Sequence, residues 1–96
     1  MKTTTTIESS EALRIAKRLS NHWKHKFDVA NTDDQYQIFM PKVTVELSIQ
    51  PDQLHVSIVN KEEISLEELI RLENIVLDHI NRMVQADYQV VWSRES

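Results

Sequence analysis

The sequence predicts an α+β two-layer sandwich in the order α-β-β-β-β-α-β, a mostly antiparallel sheet carrying two antiparallel helices on one face. Three observations predict it. Residues 43–50 alternate strictly, Val43, Val45, Leu47 and Ile49 to one side and Thr44, Glu46, Ser48 and Gln50 to the other, as in a strand with one buried and one wet face. A stretch on each side of this β-rich middle repeats apolar residues at helical spacing instead. Turn clusters at Asn31-Thr32-Asp33-Asp34, Pro41-Lys42 and Pro51-Asp52-Gln53 cut the middle into strand-length pieces.

Residues 1–8 hold the run Thr3 to Thr6 and are expected to be a flexible tail, leaving residues 9–96 as a single α+β domain. Ser9 or Ser10 offers an N-cap for a first helix over residues 10–26, whose stripe is Ala12, Ile15, Ala16, Leu19 and Trp23. Phe27 to Ala30 reads as a short strand, followed by a second in which Tyr36, Ile38 and Met40 alternate with Gln35, Gln37 and Phe39. Leu54, Val56 and Ile58 alternate with His55 and Ser57 in a fourth strand after residues 43–50. Ser65-Leu66-Glu67-Glu68 is a capping box, with Ile64 and Leu69 placed as a hydrophobic staple. The second helix follows to about Val84 on a stripe of Leu69, Leu72, Val76, Ile80 and Met83. A last strand is expected from Tyr88 to Trp92.

Composition removes several classes of function. The 96 residues carry a net charge of −4, which argues against nucleic acid as a partner, although Lys and Arg gather between Arg14 and Lys26. Without Cys there is no disulfide, thiolate ligand, iron–sulfur cluster or cysteine nucleophile. Without Gly there is no phosphate-cradling loop or dinucleotide fingerprint, and a turn that needs positive φ is expected to use Asn or Asp. No apolar run reaches membrane-spanning length and the first residues lack an apolar signal core, so no membrane partner is expected and the cytoplasm is the expected location.

The side chains with potential chemistry gather at the end of the first helix and along the second. His22 and His25 share a helix face, at about 100° per residue. Glu73 falls inside the apolar stripe of the second helix, where a carboxylate needs a partner or water. Two arrangements follow. A metal site would use His22, His25 and His79, with iron, zinc or haem as the candidate cofactor. A histidine–carboxylate site would pair His22 with Glu73 and add His25 and Lys26 as ligand-binding residues. Four antiparallel strands between the helices make the helices antiparallel. With their ends level, His22 falls near Leu69 to Glu73 and His79 at the far end, which favours the second arrangement. The structural alternative is that His25 and Lys26 complement the helix dipole and His22 with Glu73 is a packing pair. No nucleophile or oxyanion donor accompanies these groups, so a binding protein is expected rather than an acid–base enzyme.

Three motifs, Leu19-x-x-His22-x-x-His25-Lys26, Leu72-Glu73-x-x-Val76-x-x-His79-Ile80-x-Arg82-Met83 and Val90-x-Trp92, together resemble a small bacterial family, domain of unknown function 2218. The resemblance runs from about Ile15 to Trp92. It departs where the family usually has Glu and Phe, here Asn81 and Met83, and where it tends to have a glycine near Pro41-Lys42. The resemblance implies iron or siderophore metabolism as context, and as partner a small ligand, a metal or a protein such as a siderophore-interacting flavin reductase. The function expected on these grounds is that of a small binding or accessory protein. The alternatives are a protein–protein interaction domain without ligand and a small acid–base enzyme.

Overall fold

A computed structural model describes residues 2–95. The elements are β1 (Lys2–Glu8), α1 (Ala12–Trp23), β2 (Asp28–Asn31), β3 (Gln35–Phe39), β4 (Val43–Gln50), β5 (Gln53–Asn60), α2 (Leu66–Val84) and β6 (Ser93–Glu95). The strands form one open antiparallel sheet in the order β2-β3-β4-β5-β1-β6. Both helices lie on one face, as the sequence predicts.

Register follows from alternation. In β4, Val43, Val45 and Leu47 point inward, opposite Ile58 and Val56 of β5 and Ile38 and Tyr36 of β3. These residues meet Ile15, Leu19 and Trp23 of α1 and Leu69, Val76 and Ile80 of α2 in one core. The other face presents Thr44, Glu46, Ser48, His55, Gln37 and Thr6, with Gln37 bonded to Glu46 and Thr6 to His55 across neighbouring strands. It is the polar face expected from the pattern.

Residues 2–8 are not a flexible tail. They form β1, a strand inserted between β5 and β6. Threonine is β-branched and suits a strand. Alternate residues Thr3, Thr5 and Ile7 are buried, opposite Ile58, Val56 and Leu54. The observed order is therefore β-α-β-β-β-β-α-β.

The last strand also differs. Tyr88, Val90 and Trp92 are half-buried against the core while Gln89 and Val91 are exposed, so the alternation holds, but residues 88–92 make no ladder. Ladder pairing begins only at Ser93, opposite Thr4. Residues 88–92 are held by side chains: Asn81 donates to the Tyr88 carbonyl at 3.2 Å and accepts its N–H at 2.8 Å, and the Thr5 hydroxyl donates to the Val91 carbonyl at 3.0 Å. A glutamate at position 81 could accept from the Tyr88 N–H but could not donate to its carbonyl.

The helix ends follow local chemistry. The Ser65 hydroxyl accepts the Glu68 N–H at 3.1 Å and caps α2, as the capping box predicts. At the other end Gln85 takes φ 52° and ψ 47° and its N–H reaches the Asn81 carbonyl. This left-handed residue is a glutamine rather than the expected Asn or Asp, at a cost of about 1–2 kcal/mol. Helix α1 is shorter than predicted, because the Lys26 and Phe27 N–H groups both turn back to the Trp23 carbonyl and close it.

Two outcomes test this architecture. Leu47→Ala empties a fully buried position and should lower unfolding free energy by about 2–5 kcal/mol in urea titration. Deleting residues 2–8 opens the edge of β5 and should abolish the cooperative thermal transition followed by circular dichroism. A sharp transition at the parent temperature would show that β1 is dispensable.

Candidate functional site

Glu73 is 2% exposed. Its partner is not His22. One carboxylate oxygen accepts Arg94 Nη2 at 2.6 Å, and the other accepts Arg94 Nε at 3.0 Å and the Thr3 hydroxyl at 2.8 Å. The register explains the meeting: Arg94 stands opposite Thr3 across the β1–β6 ladder, on the face that α2 covers. This fork-to-fork geometry, with a third donor, meets the needs of a carboxylate taken out of water. The hydrogen bond to Glu73 raises the proton affinity of the Arg94 guanidinium; partial desolvation opposes the rise and the carboxylate charge adds to it. A raised basic group stabilises the fold at every pH below its ordinary value and loses that contribution only above it, so Arg94 keeps its charge throughout the physiological range. The sequence pointed to Glu73 as needing a partner but not to Thr3 or Arg94. The available signal was an unassigned cation in the terminal residues and a β-branched run at the start.

His22 instead meets His79. Their ring centroids lie 5.2 Å apart, and the His79 ring lies 4.9 Å from Trp23. The helices are antiparallel as parity requires, since Arg18, one turn before His22, donates to the Met83 carbonyl, one turn after His79. The level ends assumed from sequence are wrong. Helix α2 has 19 residues against 12 in α1, and its first half overhangs the end of α1. His25 lies past the end of α1 and does not join the other two. Among the described residues no three side chains of His, Cys, Asp or Glu converge as metal ligands, so the three-histidine site is not assembled.

The overhang leaves a corner uncovered. Past Trp23 the chain presents Lys24, His25, Lys26, Phe27 and Asp28, and opposite stand Phe39, Met40, Pro41 and Lys61, around an open hollow of about 490 Å³. The Lys26 ammonium lies 5.6 Å from the Phe27 ring centroid and that of Lys61 lies 5.6 Å from Phe39. Lys61 is fixed further by donating to the Met40 carbonyl at 2.8 Å. A second hollow of about 410 Å³ continues under α2, lined by Phe27, Met40, Pro41, Val43 and Leu72 with Arg71 and the Lys42–Glu68 pair at its rim. Phe27, Met40 and Pro41 belong to both, so the two form one trough with a cationic end and an apolar end. Two of the sequence candidates, His25 and Lys26, line it; His22 and Glu73 do not. Lys61, Phe39 and Met40 could not be linked to His25 and Lys26 from sequence, because they come from distant parts of the chain.

Comparison with known proteins agrees with this fold. The family described as an uncharacterized protein conserved in bacteria (DUF2218) matches residues 4–93, and the chain belongs to that family. The chain is similar to PA4090 from Pseudomonas aeruginosa, whose structure was determined by NMR: 28% identity, a TM-score of 0.76, and coverage of 96% of this chain and 94% of that one. No protein with a curated description matches the chain.

Removing Arg94 leaves a carboxylate in the core without its counter-charge. Arg94→Met should lower the melting temperature by on the order of 10 °C, whereas the double change Glu73→Leu with Arg94→Met should recover most of the loss. Calorimetric melting of the three proteins gives the comparison. Additive losses in the double variant would show that the two residues act independently.

Proposed function

We propose that this member of the family is a small binding module, and that the trough beside the end of α1 takes an anionic ligand with an apolar or aromatic body. The observation that carries the reading is the convergence of Lys26 and Lys61 from separate elements, each beside a phenylalanine ring, at the mouth of an apolar hollow. Cations near the end of a helix complement its dipole. Lys61 follows β5 and owes nothing to that dipole, yet its ammonium is drawn to the same hollow. Among the described residues lining the cationic end, Lys24, Lys26 and Lys61 outnumber the carboxylates, of which Asp28 is one, although the chain is negative overall. Phe27, Met40, Pro41 and Leu72 would take the apolar part of the ligand, and Lys24, Lys26, Lys61 and His25 the charge.

The iron and siderophore context belongs to the same proposal and rests on the family resemblance. Ferric chelates with negative charge and an aromatic or apolar scaffold fall within the ligand class described. Action in the cytoplasm beside a partner reductase is part of that context. No described helix is long and apolar enough to cross a membrane. A histidine–carboxylate site plays no part in this reading, since Glu73 is committed to Arg94 and Thr3.

Salicylate and decanoate are suitable probes, followed by amide chemical-shift changes. Shifts should concentrate at residues 24–28, 39–42 and 61. Lys26→Glu should weaken binding roughly five- to tenfold, and raising the salt to about 0.5 M should weaken it further. Scattered shifts, or binding unchanged by Lys26→Glu, would contradict the assignment.

A further inference from the structure

We infer that His22 and His79 form a two-imidazole site for a borderline divalent transition ion such as zinc, nickel or copper, open to solvent and separate from the trough. Three features of the side chains support it.

The first is spacing. A metal bonded to two imidazole nitrogens at about 2.0–2.1 Å, with a tetrahedral angle between them, places the ring centroids about 5 Å apart. The observed separation of His22 and His79 is 5.2 Å.

The second is the tautomer. His79 Nδ1 lies 2.8 Å from the Ile75 carbonyl, which can only accept, so Nδ1 carries the proton and the lone pair is left on Nε2. A backbone carbonyl holding the non-ligating nitrogen is the usual support of a metal-binding histidine, because it fixes the ring and raises its basicity. Packing against Trp23, itself 5% exposed, restrains the ring further.

The third is rigidity with access. The two imidazoles come from different helices whose spacing is fixed by the core and by the Arg18–Met83 hydrogen bond one turn away. His22 is exposed and His79 half-buried, so a hydrated ion can reach them without unfolding. Imidazole suits zinc, copper and nickel better than calcium or magnesium. Two protein ligands leave the other coordination positions to water or to an anion.

The test titrates nickel(II) and zinc(II) into the intact chain by calorimetry, with nickel quenching of tryptophan fluorescence in a Trp92→Phe background, where Trp23 is left as the emitter, as a second readout. One ion should bind per chain. His22→Ala and His79→Gln should each weaken binding roughly tenfold or more, as expected for loss of one ligand of two. His25→Ala and His55→Ala should leave it unchanged. Melting curves without metal confirm that the variants are folded, and the metal-dependent rise in melting temperature should shrink with His22→Ala. Failure to bind one ion up to millimolar metal would overturn the inference. So would binding insensitive to His22→Ala, or a loss equally large in His25→Ala, which would mark scattered surface histidines.

Discussion

Glu73 sets the constraint on which the arrangement of this chain depends. A carboxylate on the buried stripe of a helix must be met by donors that can follow it into the core. Here the donors come from opposite ends of the sequence. Thr3 lies on the first strand and Arg94 on the last, and both reach Glu73 only when β1 and β6 are neighbours beneath α2. The ionic contact therefore agrees with, and helps to specify, a sheet order in which the two terminal strands pair. It also explains why the inner face at this edge carries threonine and arginine, while two strands away it carries valine and isoleucine. The Arg94 side chain stays 39% exposed, so the pair is anchored at the buried carboxylate and hydrated at the guanidinium.

The other edge of the molecule follows from the axial offset of the two helices. Helix α1 closes at Trp23, and α2 runs on past it toward Pro41 and Lys42. Beyond the end of α1, Phe27 and the nearly buried Met40 line the trough from the helix-facing side, while Phe39 reaches it from the polar face of the sheet, opposite Thr44. The same offset slides His22 along α2 from Glu73 to His79. One axial offset between the helices thus accounts for both the uncovered corner and the histidine pair. It also separates the two proposed sites, since the trough gathers cations beyond the helix end and the imidazoles meet where the helices run side by side.

Much of the fold was legible because alternation and capping are local. Val43 to Gln50 shows its buried face residue by residue, and Ser65 to Glu68 marks the start of α2. Alternation reports burial, however, and not pairing. Tyr88, Val90 and Trp92 turn inward as expected while their backbone is held by Asn81 and Thr5 instead of a ladder. Residues 2–8 were missed because buried threonine looks polar; its hydroxyls at Thr3 and Thr5 are satisfied by Glu73 and by the Val91 carbonyl, both distant in sequence. Parity correctly gave the helix directions but could not give their axial offset, so His22 was assigned the wrong neighbour. Among the residues lining the trough, His25 and Lys26 stand out in the sequence through their clustering, whereas Lys61 and Phe39 become their neighbours only through the hairpins.

The central claim is that Glu73 ties the first and last strands to the helical layer. Native-state amide hydrogen exchange of Arg94→Met, compared with the parent chain, tests it most directly. The account predicts that the amides of β1 and β6 lose protection while those of β3 and β4 keep theirs. Unchanged protection across Thr3 to Ile7 would contradict it, and would mean that β5 alone holds the first strand in place.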